Sequence, residues 1–209
     1  MAFDAGLQVC GLLGHEWPQP SDIIDAVDCA LETCSPIDTI AVAGNGEPTL
    51  HPGFAEIADG LACVRARRAP QARLALLTNG STLCRLDVYG SLTRFDARRV
   101  KFDAGDATTF RLLNAPCVPL GRLIADLRSL NRLTLQSTFV TDSQNHVTNA
   151  TPSALDAWFG AVRQIKPECV DICTVRQPSR LPLLPVPGKV LERIADVVRS
   201  MGFPARVFA

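Results

Sequence analysis

The chain has 209 residues, 47% hydrophobic and 20% charged, with 21 Lys+Arg against 21 Asp+Glu and a formal net charge of zero. That balance is globular and excludes a disordered chain, while zero net charge leaves no strong electrostatic signal for nucleic acid. No stretch approaches the roughly twenty apolar residues of a membrane span, and the first residues lack the basic start and apolar centre of a secretory leader, so a single cytoplasmic domain over residues 1–209 is expected.

Residues 1–20 carry no strong periodicity. Ser21 has the place of an N-cap with Asp22 in the first turn, and Ile23, Ile24, Val27, Ala30 and Leu31 form an apolar stripe, so a helix is expected to about Cys34. Residues 37–43 are an apolar run bounded by turn residues, the pattern of a buried strand, and the loop Gly44-Asn45-Gly46-Glu47-Pro48 leads to a helix ending near Arg68. Strands are expected over 72–78, 96–103, 133–140, 170–174 and 205–208, and helices over 83–92, 107–113, 120–130, 152–165 and 190–201. Asp106 is placed to cap the helix 107–113, and Thr151 with Pro152 starts the helix 152–165. The stretch 177–187 is a Pro-rich loop. Two basic clusters, Arg65 with Arg67 and Arg68, and Arg94 with Arg98, Arg99 and Lys101, read as solvated helix ends and loops.

Eight cysteines occur, Cys10, Cys29, Cys34, Cys63, Cys84, Cys117, Cys169 and Cys173, with no Cys-x-x-Cys pair to suggest a zinc ribbon or a thioredoxin-like site. Cys29, Cys63, Cys169 and Cys173 lie in apolar, periodic stretches and are expected as small core hydrophobes. His15, His51 and His146 are scattered and are not expected to form a metal site.

Strand and helix alternate throughout, which predicts an α/β fold with a parallel sheet, either a partial (β/α) barrel or a doubly wound sheet. Polar residues gather at successive strand ends: Glu47, Thr78 with Asn79, Asp103, Gln136 with Ser137, and Thr174. That arrangement favours a barrel mouth, where such folds place their sites. The loop Gly44–Pro52 is on its residues alone either an ordinary turn with a solvated Glu or a ligand loop. In the second case open backbone beside a carboxylate suits an ammonium group better than a phosphate.

Taken together, Gly44-Asn45-Gly46-Glu47-Pro48-Thr49-Leu50-His51-Pro52, Leu77-Thr78-Asn79-Gly80-Ser81, Lys101-Phe102-Asp103-Ala104-Gly105-Asp106, Asn114-Ala115-Pro116 and Leu135-Gln136-Ser137-Thr138-Phe139 resemble the strand-end motifs of the radical SAM (S-adenosylmethionine) superfamily, iron–sulfur oxidoreductase type. The resemblance covers residues 10–208 and implies a partial (β/α) barrel, here with its first strand missing. It further implies an enzyme in which a [4Fe-4S] cluster cleaves S-adenosylmethionine reductively to start radical chemistry on an unknown substrate, small or macromolecular. Gly44, Asn45, Gly46 and Glu47 would hold the methionine ammonium. Lys101 or Asp103 would reach the ribose or carboxylate, Gln136 or Ser137 the ribose side, and Asn79 would belong to the same pocket.

The sequence departs from the family at the cluster loop. Cys10 stands where the third cysteine of Cys-x-x-x-Cys-x-x-Cys belongs, and Phe3 and Leu7, which cannot ligate iron, stand in the other two places. Residues 1–20 thus read as a remnant of that loop. Three explanations stay open: an N-terminally shortened radical SAM enzyme, a degenerate barrel that binds S-adenosylmethionine or a partner without a cluster, and a cluster assembled from Cys10 and distant cysteines. A phosphate-binding (β/α) enzyme fits worse, because Glu47 would repel phosphate and no Gly-rich run carries a following Lys. With a first strand missing, residues 37–43 would form an exposed sheet edge, and association through it is expected.

Overall fold

The computed structural model describes residues 17–34, 36–44, 46–114, 118–142, 148–175 and 183–209. Among these are seven helices and seven strands, and the strands lie in the order Thr39–Val42, Arg73–Thr78, Ala97–Lys101, Leu133–Asp142, Cys169–Thr174 and Ala205–Phe208, with Leu183–Pro185 off this path on Leu133–Asp142. This is the expected α/β fold with a mainly parallel sheet. The described residues fall into two compact units, residues 17–99 and residues 100–209.

In the first unit, α1 (Pro20–Thr33) begins two residues earlier than the sequence suggests. Its N-cap is Gln19 and Pro20 opens the helix, so Ser21 caps nothing. None of its residues is buried, and it packs on α2 (Phe54–Arg68), whose Phe54, Ile57, Ala58, Leu61 and Val64 are buried. The basic end of α2 returns the contact. Arg68 donates to Asp28 at 2.8 Å and to Glu32 at 2.6 Å, and Arg67 pairs with Asp28 at 2.8 Å. The hydrogen bonds from Arg68 and Arg67 hold the Asp28 carboxyl well below the usual carboxylate range. Arg94 pairs with Asp59 and Arg65 with Asp96. These arginines of the two basic clusters are therefore engaged with acidic side chains of their own unit.

β1 (Thr39–Val42) and β2 (Arg73–Thr78) pair in parallel, Ile40 opposite Leu74 and Val42 opposite Leu76. Among the described strands β1 is terminal, with Thr39 and Ala41 exposed. A 3-10 turn, Pro48–Leu50, follows the loop after β1, and α3 (Leu86–Ser91) continues into a second such turn, Leu92–Arg94.

β3 (Ala97–Lys101) spans the boundary between the units. The second unit continues with α4 (Ala107–Asn114), α5 (Leu120–Arg128), β4 (Leu133–Asp142), α6 (Pro152–Ile165), β5 (Cys169–Thr174), β6 (Leu183–Pro185), α7 (Gly188–Ser200) and β7 (Ala205–Phe208). β4, β5 and β7 run parallel, with Gln136 opposite Asp171 and Asp171 opposite Arg206. Alternate residues of a strand face opposite sides of the sheet. One side carries the fully buried Leu135, Phe139, Val170 and Ile172, and Trp158 of α6 packs edge-on against Phe139 at 5.2 Å. The opposite side carries Thr134, Gln136, Thr138, Cys169, Asp171, Cys173, Arg206 and Phe208 by register.

Three features fix connections in this unit. A Cβ on Gly105 would lie 2.2–2.3 Å from backbone atoms of Ala157 and Trp158, so only glycine allows the approach of this loop to α6. Arg132, just before β4, and Lys166, the C-cap of α6, are the non-glycine residues with positive φ among the described residues, at 53° and 57°. β6 pairs antiparallel with the end of β4, and Val186 N donates to Thr174 Oγ1 at 2.8 Å.

The four cysteines expected in the core are not there. Cys29 and Cys63 are exposed, and Cys169 and Cys173 are half-buried. Cys63 misses the buried stripe of α2, and α1 has no buried stripe for Cys29 to join. Cys169 and Cys173 lie on the polar side of β5, opposite the side where Val170 and Ile172 are buried.

Candidate functional site

In the first unit the site is built on Glu47, 7% exposed, at the end of the loop after β1. Its Oε1 accepts hydrogen bonds from Thr49 N at 3.1 Å, Thr49 Oγ1 at 2.5 Å and Thr78 Oγ1 at 2.6 Å, and its Oε2 accepts from Asn79 N at 2.5 Å. The carboxylate thus ties the loop after β1 to the end of β2 through neutral donors. Thr49 Oγ1 also bonds Thr82 Oγ1. Asn79 Oδ1 accepts from Ser81 N at 2.8 Å, and Gly80, at φ 74°, turns the chain away after β2. Gly44 and Gly46 are exposed; a Cβ at Gly46 would meet nothing within 4 Å, and one at Gly44 only ordinary contacts at 3.8 Å. Neither glycine is demanded by local packing, and the backbone beside Glu47 is open. Asn45, between them, lies outside the described residues.

His51 closes the loop. Its Nδ1 accepts from Gly53 N at 2.9 Å, so that nitrogen carries no proton, and its Nε2 then donates to Pro18 O at 2.9 Å. Trp17 packs edge-on against the same ring at 5.1 Å. The histidine therefore holds the segment before α1 against the loop and is not presented as a metal ligand.

In the second unit Lys101 and Asp103 follow one another on the polar side of the sheet. Lys101 Nζ lies 3.0 Å from Asp103 Oδ2, which also accepts from Asn114 Nδ2 at 2.9 Å, while Asp103 Oδ1 accepts from Thr138 N at 2.8 Å. A carboxylate only accepts, so Asn114 must turn its NH₂ to Asp103. That leaves Asn114 Oδ1 buried and without a hydrogen-bond partner. Asn149 fixes the strand ends, donating to Asp103 O and Thr138 O and accepting from Val140 N, each at 2.8 Å. Gln136 shares this side of the sheet. Ser137 faces the other way, is fully buried, and donates to Phe102 O at 2.6 Å, the oxygen that also accepts from Trp158 Nε1.

The sequence reading did not single out Asp171 and Arg206. The Asp171 side chain is 4% exposed and accepts from Arg206 Nε and Nη2, both at 2.7 Å to Oδ1. Burial pushes the Arg206 pKa down, but Asp171 outweighs it and holds the pKa above its ordinary value. The available signal was one charged residue between Val170 and Ile172 in an otherwise apolar strand.

An iron–sulfur cluster needs several thiolates close together. Among the described residues no three His, Cys, Asp or Glu side chains form a group able to hold a metal ion. The described residues therefore do not fit a cluster; Cys10, to which the resemblance assigns that role, lies outside them, as does Cys117. No described helix is long and apolar enough to cross a membrane.

No family model matches the chain. It is 26% identical over 174 residues to the UPF0026 protein of Helicobacter pylori, covering 75% of this chain and 50% of that protein. It is 25% identical over 155 residues to the GTPase Obg of Brachyspira hyodysenteriae, covering 73% of this chain and 22% of that protein. The chain thus spans half or less of the relatives it matches. The phosphate-loop pattern Gly-x-x-x-x-Gly-Lys-Ser/Thr does not occur in it. Among solved structures, it matches a radical SAM methyltransferase from Sphaerobacter thermophilus with a TM-score of 0.64 and 18% identity, over 90% of this chain and 56% of that one. It matches Streptococcus suis SuiB bound to S-adenosylmethionine with a TM-score of 0.72 and 10% identity, over 99% of this chain and 47% of that one. The fold is that of the radical SAM partial barrel.

Proposed function

We propose that this chain, which has the radical SAM fold, binds S-adenosylmethionine at its strand ends and belongs to an enzyme that cleaves it reductively. The observation that carries the reading is the fold match to a radical SAM methyltransferase over 90% of the chain. The loop after β1 supports it. The Glu47 carboxylate is buried with four neutral donors and no cation among the described residues, and its Oε2 accepts one hydrogen bond where a carboxylate oxygen can accept two. A ligand ammonium would supply the missing positive charge, and the open backbone of Gly44 and Gly46 would let it approach.

Radical chemistry additionally needs a cluster to supply the electron. A second reading, a barrel that binds S-adenosylmethionine without cleaving it, draws on the absence of a metal-binding group among the described residues.

Calorimetric titration with S-adenosylmethionine tests the shared part of both readings: saturable binding that Glu47→Gln weakens is expected, and no binding by the wild type would overturn both. Anaerobic reconstitution with iron and sulfide separates them. Four irons per chain with 5′-deoxyadenosine released under reductant supports the enzyme, whereas binding without iron uptake supports the second reading.

A further inference from the structure

Asp171 is the buried charge that the proposed function leaves unused. It sits in the middle of β5 between two fully buried apolar residues. Burying the Asp171 carboxylate carries a desolvation penalty that an apolar side chain of similar volume would avoid. The consequence of the carboxylate is local: it fixes Arg206.

The register sets Gln136, Asp171 and Arg206 in one row across β4, β5 and β7, on the side of the sheet away from Trp158 of α6. Arg206 turns Nε and Nη2 to a single oxygen of Asp171, which uses two of its five N–H donors. The Phe208 ring lies under the guanidinium, 6.0 Å from its Cζ, at the outer reach of a cation–π contact. Cys169 also lies against it.

The exposures give this row a polarity. The Asp171 side chain is 4% exposed and that of Arg206 50%. The other pair on the same side repeats the pattern, with Asp103 at 3% and Lys101 at 19%. In both pairs the carboxylate forms the floor and the cation stands outward, so a solute approaching this side meets positive charge first. Three strand spacings separate β3 from β7, about 14 Å, which puts the two cations at different ends of a ligand and not on one group.

We propose that Arg206, oriented by Asp171, takes an oxyanion of the substrate, a carboxylate or a phosphate, on the polar side of the sheet in the second unit. This names the substrate class for the function proposed above and rests on that reading, although the oxyanion site can be tested without S-adenosylmethionine. A planar guanidinium held by Asp171 and half exposed to solvent matches the two-oxygen geometry of such groups, which a lysine would not.

The test titrates the wild-type chain with inorganic phosphate and, separately, with succinate, following heat and melting temperature. Saturable binding of one or both is expected, and which of them binds identifies the group. Arg206→Gln should weaken it at least tenfold, Arg206→Lys should fail to restore it, and Asp171→Asn should weaken it several-fold. A measurement that needs no variant is modification of Arg206 by phenylglyoxal, read by peptide mass spectrometry; the binding anion should slow it several-fold. Absence of saturable binding, equal binding by a folded Arg206→Gln variant, or no protection in the wild type would each overturn the proposal. Calorimetry with S-adenosylmethionine on the same samples separates the two readings. Normal binding by Arg206→Gln together with lost oxyanion binding supports the site, and failure of the wild type to bind S-adenosylmethionine sinks the functional reading alone.

Discussion

Glu47 accepts from Thr49 and from the end of β2, so replacing one of its oxygens with an NH₂ sets donor against donor. Glu47→Gln should lower stability by about 1–3 kcal/mol, seen as a fall in the urea midpoint at unchanged slope. An unchanged midpoint would mean that the four bonds do not hold the loop. Gly105→Ala tests another contact. Its methyl would meet the Ala157 carbonyl, and a loss of about 1–3 kcal/mol is expected in the same assay. At this scale the placing of Glu47, Asn79, Lys101 and Asp103 at or just after strand ends was legible from their motifs. Which side of the sheet a side chain faces was not legible. Gln136 and Ser137 are adjacent in the chain and face opposite sides, and Arg206 acquires its partner only through the pairing of β5 with β7.

The start of α4 carries a prediction with a pH dependence. Asp106 Oδ1 accepts from Thr109 N at 2.8 Å and Thr108 N at 3.1 Å. Burial pushes this carboxyl up, but the hydrogen bonds from Thr109 and Thr108 outweigh it and hold the pKa below its ordinary value. A depressed carboxylate contributes its stability above the unfolded-state pKa, near 4, and loses it as pH falls through the lower folded value. Asp106→Ala should therefore cost about 1 kcal/mol at neutral pH, and the gap to wild type should narrow on acidification below pH 4. A gap independent of pH would show that capping by the ionised form is not its source. Caps of this kind, apolar stripes and strand runs are local, which is why most elements could be read from the sequence to within a few residues. β6 could not. It is three residues ending in proline, and its pairing with β4 is written in neither segment alone.

Across the whole chain, protection should be uneven. β4 and β5 carry fully buried residues and pair over six positions, whereas α1 buries none of its residues. Native-state hydrogen exchange should find the slowest amides in β4 and β5 and the fastest helical amides in α1; equal protection would contradict this. Total stability of a domain is only about 5–15 kcal/mol, so single backbone conformations weigh on it. Arg132 and Lys166 hold left-handed φ values immediately before the segments that enter β4 and β5, a conformation that disfavours any residue with a Cβ. Glycine at each should raise the melting temperature by roughly 2–4 °C, from about 1 kcal/mol per site. The two turns thus hold a latent reserve of thermostability, which could be used to offset destabilising changes made elsewhere to probe Glu47 or Arg206.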